Sequence, residues 1–128
     1  MAVPKYNEFF PDFMEFLSDG NEHAVQEVRD YLAGIFNLSD EDMRAKTPSG
    51  ENLFFNRVDW AKLYLKKAGL IANPELAVVV ITPFGKKVLD DKTELTLDFV
   101  KDLMIKNGEY PTKSVTRFSQ VKRMKTRT

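Results

Sequence analysis

The sequence predicts a mainly α-helical fold with one small β-hairpin, which places it in the α+β class. Two observations support this prediction. Along most of the 128-residue chain, apolar side chains recur at spacings of three and four residues, as in amphipathic helices that share a core. One short run, Val78-Val79-Val80-Ile81, is instead entirely β-branched, and such residues favour strands over helices.

The first part of the chain predicts two helices joined by a break. Residues 4–18 place large apolar side chains on one face, and Pro11 should start or kink a turn there. Ser18-Asp19-Gly20-Asn21 is a strong breaker. A second helix follows over residues 24–36. The apolar residues of the first helix are Tyr6, Phe9, Phe10, Phe13, Phe16 and Leu17.

A short helix and a long central helix come next. Ser39 with Asp42 three residues later is close to a capping box, which predicts a helix start. Thr47-Pro48-Ser49-Gly50 should end this short helix. The central helix is predicted over residues 53–68, with Gly69 at its C-terminal cap position.

The remaining elements are a hairpin and two further helices. Asn73-Pro74-Glu75 should form the turn of a two-stranded hairpin, between the apolar stretches 70–71 and 77–81. Thr82 caps a helix that begins with proline at the favoured first position and ends at Asp90. A last helix covers residues 95–106. A helical core followed by a small hairpin is the order of a winged helix-turn-helix.

The composition limits the possible functions. Hydrophobic residues make up 43% and charged residues 30% of the chain, as in soluble globular domains. With no cysteine and one histidine, disulfides, the usual zinc sites and the usual catalytic triads are excluded. We expect no enzyme, no cofactor and no metal, and a capping or packing role for His23. No signal peptide or membrane segment is apparent, which favours a cytoplasmic protein without a membrane partner.

Two faces can be assigned to the central helix at 100° per residue. Val58, Ala61, Leu65 and Ala68 fall on one arc, which Trp60 and Tyr64 extend, so this side should face the core. The other side and its borders are basic and polar except for one leucine. Its residues are Asn56, Arg57, Asp59, Lys62, Leu63, Lys66 and Lys67.

This basic face, on a helix that leads into a hairpin, suggests contact with double-stranded DNA. Lysine and arginine can neutralise phosphates, and Asn56 and Arg57 have the donors and acceptors to contact base edges. Leu63 can contact a thymine methyl group or a second subunit. The alternative is ordinary: lysines on an outer helix face are often only solvated, and a lone exposed leucine is common.

The chain resembles the N-terminal domain of Mrr-type restriction proteins, a winged-helix domain, over roughly residues 3–91. The matching segments are Val3-Pro4, Gly20-Asn21-Glu22-His23-Ala24-Val25-Gln26-Glu27-Val28, Leu38-Ser39-Asp40-Glu41-Asp42, Asn56-Arg57, Trp60-Ala61, Leu65-Lys66-Lys67-Ala68-Gly69-Leu70-Ile71 and Ile81-Thr82-Pro83-Phe84-Gly85.

The resemblance implies DNA binding, with cleavage assigned to a separate C-terminal nuclease domain that this sequence lacks. The only acidic-x-lysine pair, in Asp90-Asp91-Lys92, lies at a predicted helix end, and we interpret it as chance. The sequence departs from the family pattern in two places. The wing tip, residues 73–77, has no basic residue, and Leu63 stands where a small polar residue is expected.

Charge divides the chain unevenly, although the formal net charge is zero. Residues 113–128 contain six basic and no acidic residues, which leaves residues 1–112 with a charge of −6. We therefore expect a winged-helix domain over residues 1–92, a linker helix over 93–112 and a basic, flexible tail over 113–128. Lys122 and Arg123 of this tail can supply phosphate contacts that the acidic body lacks, or the tail is simply solvated.

A protein-interaction or dimerisation module on the same fold is the alternative function. The acidic body, the wing tip without basic residues and Leu63 favour it. The last helix, from Leu95 to Lys106, has the apolar residues Phe99, Leu103 and Met104. It can pair two subunits as a homodimer, or it can pack on its own domain.

Overall fold

The computed structural model describes residues 3–108. It contains six α-helices and three strands within those residues, and two 3₁₀ turns, Tyr6–Phe9 and Leu17–Asp19, flank the first helix. In chain order the elements are α1 (Phe10–Phe16), β1 (His23–Ala24), α2 (Val25–Ile35), α3 (Asp40–Arg44), α4 (Leu53–Lys67), β2 (Ile71–Glu75), β3 (Val78–Ile81), α5 (Pro83–Asp90) and α6 (Leu97–Lys106). None of these helices is long and apolar enough to cross a membrane.

The sheet is antiparallel and has three strands in the order β1-β3-β2. His23 of β1 pairs with Val79 of β3, and Ile71 of β2 pairs with Ile81. The predicted two-stranded hairpin is confirmed as β2 and β3, but the third strand of the sheet, β1, was not predicted. The missing strand, β1, has only two residues, which is too short to show an alternating pattern. The α+β class is confirmed, with the element order of a winged-helix-like fold.

The turn of the hairpin also differs from its predicted position. It lies at Leu76 and Ala77, whereas Asn73 and Pro74 belong to β2. The ladder is irregular between Ala72 and Glu75, and proline is tolerated at such irregularities because it has no N–H to donate. The Asn73 side chain stabilises the turn, because its Nδ2 donates to the carbonyl oxygens of Glu75 and Val78.

The local signals for the helix starts and stops are confirmed. Ser39 and Asp42 form a reciprocal capping box, with the Asp42 N–H donating to Ser39 Oγ at 3.0 Å. Thr82 Oγ1 accepts from the Gly85 N–H at 2.9 Å at the start of α5. Gly69, just after α4, has φ +82°, a conformation that favours glycine. These three signals depend on neighbouring residues only, which is why the sequence predicts them well.

The core lies between α1, α2 and one side of α4. Phe9, Phe10, Phe13 and Phe54 are fully buried in it, as are residues on the predicted apolar arc of α4. Trp60 is an exception, because 47% of it is exposed. The arc was therefore predicted too wide on its aromatic side. The buried residues of this arc are Val58, Ala61, Leu65 and Ala68.

Helix α6 packs on α4, and its apolar residues join the same core. Val100 and Met104 are buried there, and Asn107 Nδ2 donates to the Lys67 carbonyl at 3.1 Å. The helix begins two residues later than predicted, because Thr96 Oγ1 accepts from the Phe99 N–H and so caps it. Of the two uses predicted for this helix, packing on its own domain is confirmed.

Candidate nucleic-acid interface

Three elements meet around an open cleft of about 290 Å³. They are the first turn of α2, the middle of α4 and the turn of the β2–β3 hairpin. We call this space the wing cleft. It is lined by Ala24, Val25, Gln26, Arg29, Asp59, Lys62, Leu76 and Ala77.

Backbone pairing builds the wing cleft. Because β1 pairs with β3, the start of α2 lies against the hairpin turn, and the Val25 N–H donates to the Ala77 carbonyl at 2.8 Å. The N-cap residue of α2 is Ala24, which provides no side-chain cap. The positive end of the helix dipole is thus at the cleft without a side-chain cap, and such helix ends attract anions, although Glu27 in the first turn offsets part of that charge.

Arg29 forms one wall of the wing cleft. Its guanidinium carbon lies 4.1 Å from the centroid of the Phe55 ring, and its Nη2 lies 3.4 Å from Asp59 Oδ1. Its Nε is buried and has no hydrogen-bond partner in the described part of the chain. The ring therefore holds a planar cation in place, and a half-exposed carboxylate partly compensates its charge. Sequence analysis missed Arg29, although it is the only basic residue of α2.

The structure brings Lys62 and Lys66 together on the side of α4 nearest the hairpin. Lys62 is half-buried and lines the wing cleft, and Lys66, one turn later, is exposed. Lys67, also predicted at the interface, is half-buried beyond them. Leu63 lies opposite the core arc, as predicted, but it is half-buried and so less exposed than expected.

Arg57 and Asn56 lie on another side of α4. Arg57 Nη1 donates to the carbonyl oxygens of Val3 at 2.5 Å and Pro4 at 3.2 Å, so this side chain fastens the N-terminal segment. Asn56 Nδ2 donates to Glu51 Oε1 at 3.0 Å. Arg57 and Lys62 are five residues apart, which separates them by about 140° around the helix. Arg57 therefore lies apart from the two lysines, whereas Asn56 lies about 20° from Leu63 around the helix.

Two tyrosines and a tryptophan surround a second pocket beside Asn56 and Arg57. We call it the aromatic pocket. Its volume is about 300 Å³, and its lining residues are Tyr6, Asn56, Arg57, Trp60 and Tyr64.

The hairpin turn carries no basic residue at its tip. Leu76 is 97% exposed there, and Glu75 and Ala77 flank it. The remaining predicted contacts, Lys122 and Arg123, lie outside the described residues.

Comparison with known proteins supports a specific assignment. The model of the Mrr N-terminal domain matches residues 6–91. The type IV methyl-directed restriction enzyme EcoKMrr of Escherichia coli (strain K12) is 30% identical over 86 residues, which are 66% of this chain and 28% of that enzyme. No solved structure matches the chain closely.

The match with the Mrr N-terminal domain extends from the first 3₁₀ turn to the residue after α5, so it includes the sheet, the wing cleft and the aromatic pocket. Each segment from Tyr6 to Gly85 on which the sequence resemblance depended falls inside it. Since the matched residues are most of the chain, the protein belongs to the Mrr N-terminal domain family.

Proposed function

We propose that this chain is a DNA-binding module of a restriction system, a recognition domain whose ligand is double-stranded DNA. Family membership supports this proposal, because the related E. coli protein is a methyl-directed restriction enzyme. The observation that carries it is the wing cleft, in which Lys62, Arg29 and the uncapped start of α2 converge. Cationic groups and a helix N-terminus on one surface are suited to backbone phosphates.

In this proposal the outer face of α4 enters the major groove, which is wide enough for one helix. Lys62 and Lys66 neutralise phosphates at the groove edge. Arg29 keeps its stack on Phe55 and exchanges Asp59 for a phosphate, since its contact with that carboxylate is long, at 3.4 Å. Such contacts fix the position of the helix but carry no sequence information.

Asn56, Leu63 and Lys67 remain for contact with the bases and the far strand. An asparagine amide can pair with adenine, and a leucine can pack on a thymine methyl group. Arg57 stays a proposed contact, but its Nη1 is occupied by the Val3 and Pro4 carbonyls. Its contribution to binding therefore includes holding the N-terminal segment in place.

The matched pair of double substitutions K62A/K66A and K86A/K87A tests this function. Each removes two positive charges from exposed or half-buried helical lysines, but only the first pair lies on α4. We expect K62A/K66A to lower duplex affinity and to reduce the slope of log affinity against log salt by about 0.9 for each phosphate that is no longer neutralised. K86A/K87A should bind like the wild type. Equal behaviour of the two variants in a mobility-shift assay at several salt concentrations would refute the assignment to α4.

Self-association is the second candidate, favoured by the 97% exposed Leu76 at the hairpin turn. A homodimer through residues 95–106 would need the residues of α6 that the core leaves free, such as Ile105, which is 46% exposed. Sedimentation of wild type, L76D and I105D distinguishes the two surfaces. A monomeric wild type at all concentrations would remove both homodimer models.

A further inference from the structure

The aromatic pocket has the size and lining of a small-molecule site. Its volume of about 300 Å³ is at the lower end of the ~300–1,000 Å³ typical of such sites. It also contains Trp60, the single tryptophan of the chain, which is 47% exposed. Tryptophan provides a large apolar surface, and packing another ring on it removes that surface from water.

The geometry of the rings decides where a planar ligand can bind. The centroids of Tyr6 and Tyr64 are 4.9 Å apart. A ring inserted between two others needs about 7 Å, because non-bonded carbon atoms sit about 3.5–4.0 Å apart. No ligand ring therefore fits between the tyrosines. Trp60 stands at 72° to Tyr64 with its centroid 6.4 Å away, so a ligand ring can stack on Trp60 with its edge toward Tyr64.

Two polar groups at the same pocket add directional recognition. Arg57 is held by its bonds to the Val3 and Pro4 carbonyls, so its planar cation has a fixed position. Asn56 offers Oδ1 as an acceptor and the second N–H of Nδ2 as a donor, since the first N–H donates to Glu51 Oε1. A planar ring with carbonyl and amino groups on its edge complements this set. Nucleobases have this chemistry, and proteins bind unstacked bases by aromatic stacking and edge hydrogen bonds.

The pocket opens beside the surface proposed to hold the duplex. Trp60 lies within about 60° of Leu63 around α4 at 100° per residue, and Asn56 lies between them. A base rotated out of a duplex on the outer face of α4 would reach the pocket over a short distance. We infer that the aromatic pocket binds one nucleobase turned out of the duplex. This inference rests on the proposed DNA binding, and a free nucleotide would offer the same chemistry.

Two duplexes of the same length, one fully paired and one with a single mismatched base, test this inference with the full chain. A mismatched base is easier to extrude, so we expect about tenfold tighter binding of the mismatched duplex. Binding should also quench the fluorescence of Trp60. In W60A the preference for the mismatch should disappear while affinity for the paired duplex changes by less than about twofold. W60F should keep part of the preference because it keeps a stacking ring.

Phe84→Ala is the matched control, because Phe84 is also an exposed aromatic residue on a helix, at 41% exposure, and lies outside both pockets. It should keep the full preference. Equal affinity of the wild type for the two duplexes would overturn the inference, and so would a preference that survives in W60A. Since K62A/K66A tests duplex binding itself, loss of the preference alone does not affect the proposed function.

If the wild type binds neither duplex, the proposed function fails. Titration with free nucleotides then decides whether the aromatic pocket binds a nucleobase that does not belong to a duplex. Saturable quenching of Trp60 by a nucleotide, absent in the denatured chain, would show a free-nucleotide site and overturn the duplex as source. No quenching would overturn the nucleobase site altogether.

Discussion

Gly85 shows how much one residue determines where α5 meets the hairpin. A Cβ at this position would lie 2.2 Å from the Leu70 carbonyl oxygen and 2.8 Å from Ile81 Cγ1. Thr82 stabilises the same junction, since its Oγ1 donates to the Gly69 carbonyl at 2.7 Å. The backbone of α5 is therefore in direct contact with the end of β3 and the residue before β2, which leaves no room for a side chain.

We predict that Gly85→Ala lowers the free energy of unfolding by about 3 kcal/mol or more, because a fixed carbonyl must move. Gly34→Ala is the control, since nothing lies within 4 Å of a Cβ there and the residue is within α2. It should gain about 0.5–1 kcal/mol from the lower cost of ordering alanine in a helix. Urea unfolding of both variants measures the difference, and similar stabilities would contradict the crowding at Gly85.

Sequence alone does not reveal this crowding. In the sequence, Gly85 is only one residue of the segment that follows Ile81. The atom that leaves no room for its side chain is the carbonyl oxygen of Leu70, 15 residues earlier. The same holds for Arg57. Its residue type suggested contact with a nucleic acid, but its partners are carbonyl groups near the start of the chain. Long-range backbone partners leave no local pattern.

At the scale of elements, His23 links β1 to the helices on either side. Its Nδ1 lies 2.8 Å from Glu27 Oε1 and its Nε2 lies 2.9 Å from Asp19 Oδ2. The ring also packs on Phe16, with centroids 4.7 Å apart. The pKa of His23 is raised above 6.5, most by the hydrogen bond to Glu27 and less by the interaction with Asp19. The predicted packing role of this histidine is confirmed.

This raised pKa gives a prediction about stability and pH. A histidine with a higher pKa in the folded chain stabilises the fold below its unfolded value of 6.5 and loses that contribution as pH rises through the folded value. We expect the unfolding midpoint in urea to fall over this range in the wild type. The dependence should be flatter in His23→Gln.

Asp19 acts at the other end of the pH scale. Its pKa is lowered from 3.8 by the Asn21 N–H and by His23, so its contribution is present above that value and is lost as pH falls through the lowered one. The combined contribution of Asp19 and His23 to stability should thus be greatest between pH 3.8 and pH 6.5.

The His23 prediction has its own counter-outcome. A wild-type unfolding midpoint that stays level above pH 6.5 would show that His23 is not stabilised as a cation.

The helices could be predicted because their signals are local, but β1 could not. Ser39, Asp42, Thr82 and Gly69 define helix ends through neighbours a few residues away. By contrast, β1 exists only because His23 and Ala24 pair with β3, far along the chain. The start of α2 was therefore not recognised as part of the interface, since its place beside the hairpin depends on that pairing.

At the scale of the whole molecule, charge is the main constraint on the proposed function. Residues 1–112 carry −6 and residues 113–128 carry +6. The basic groups around the wing cleft therefore belong to a body that repels DNA on balance. For the proposed function, attraction of DNA over longer distances has to come from residues outside this body. The only concentrated positive charge in the sequence is in residues 113–128.

Truncation after Thr112 should accordingly weaken duplex binding to a similar extent for all sequences. The slope of log affinity against log salt should decrease by about 0.9 for each phosphate that the tail neutralises in the full chain. A full-length variant with Lys122 and Arg123 changed to alanine is the partial form of the same test. Unchanged affinity and slope in both proteins would assign the electrostatic contribution to the body alone.

The hydrogen bond between the Val25 N–H and the Ala77 carbonyl has a kinetic consequence. It ties the hairpin turn to α2 before any ligand arrives, so the width of the wing cleft is already set in the free molecule. Little backbone entropy is then lost at encounter, because the surface is preorganised. Association with the proposed duplex would then resemble the docking of two rigid bodies. Its rate would be governed by diffusion and long-range charge, and not by a slow closing step.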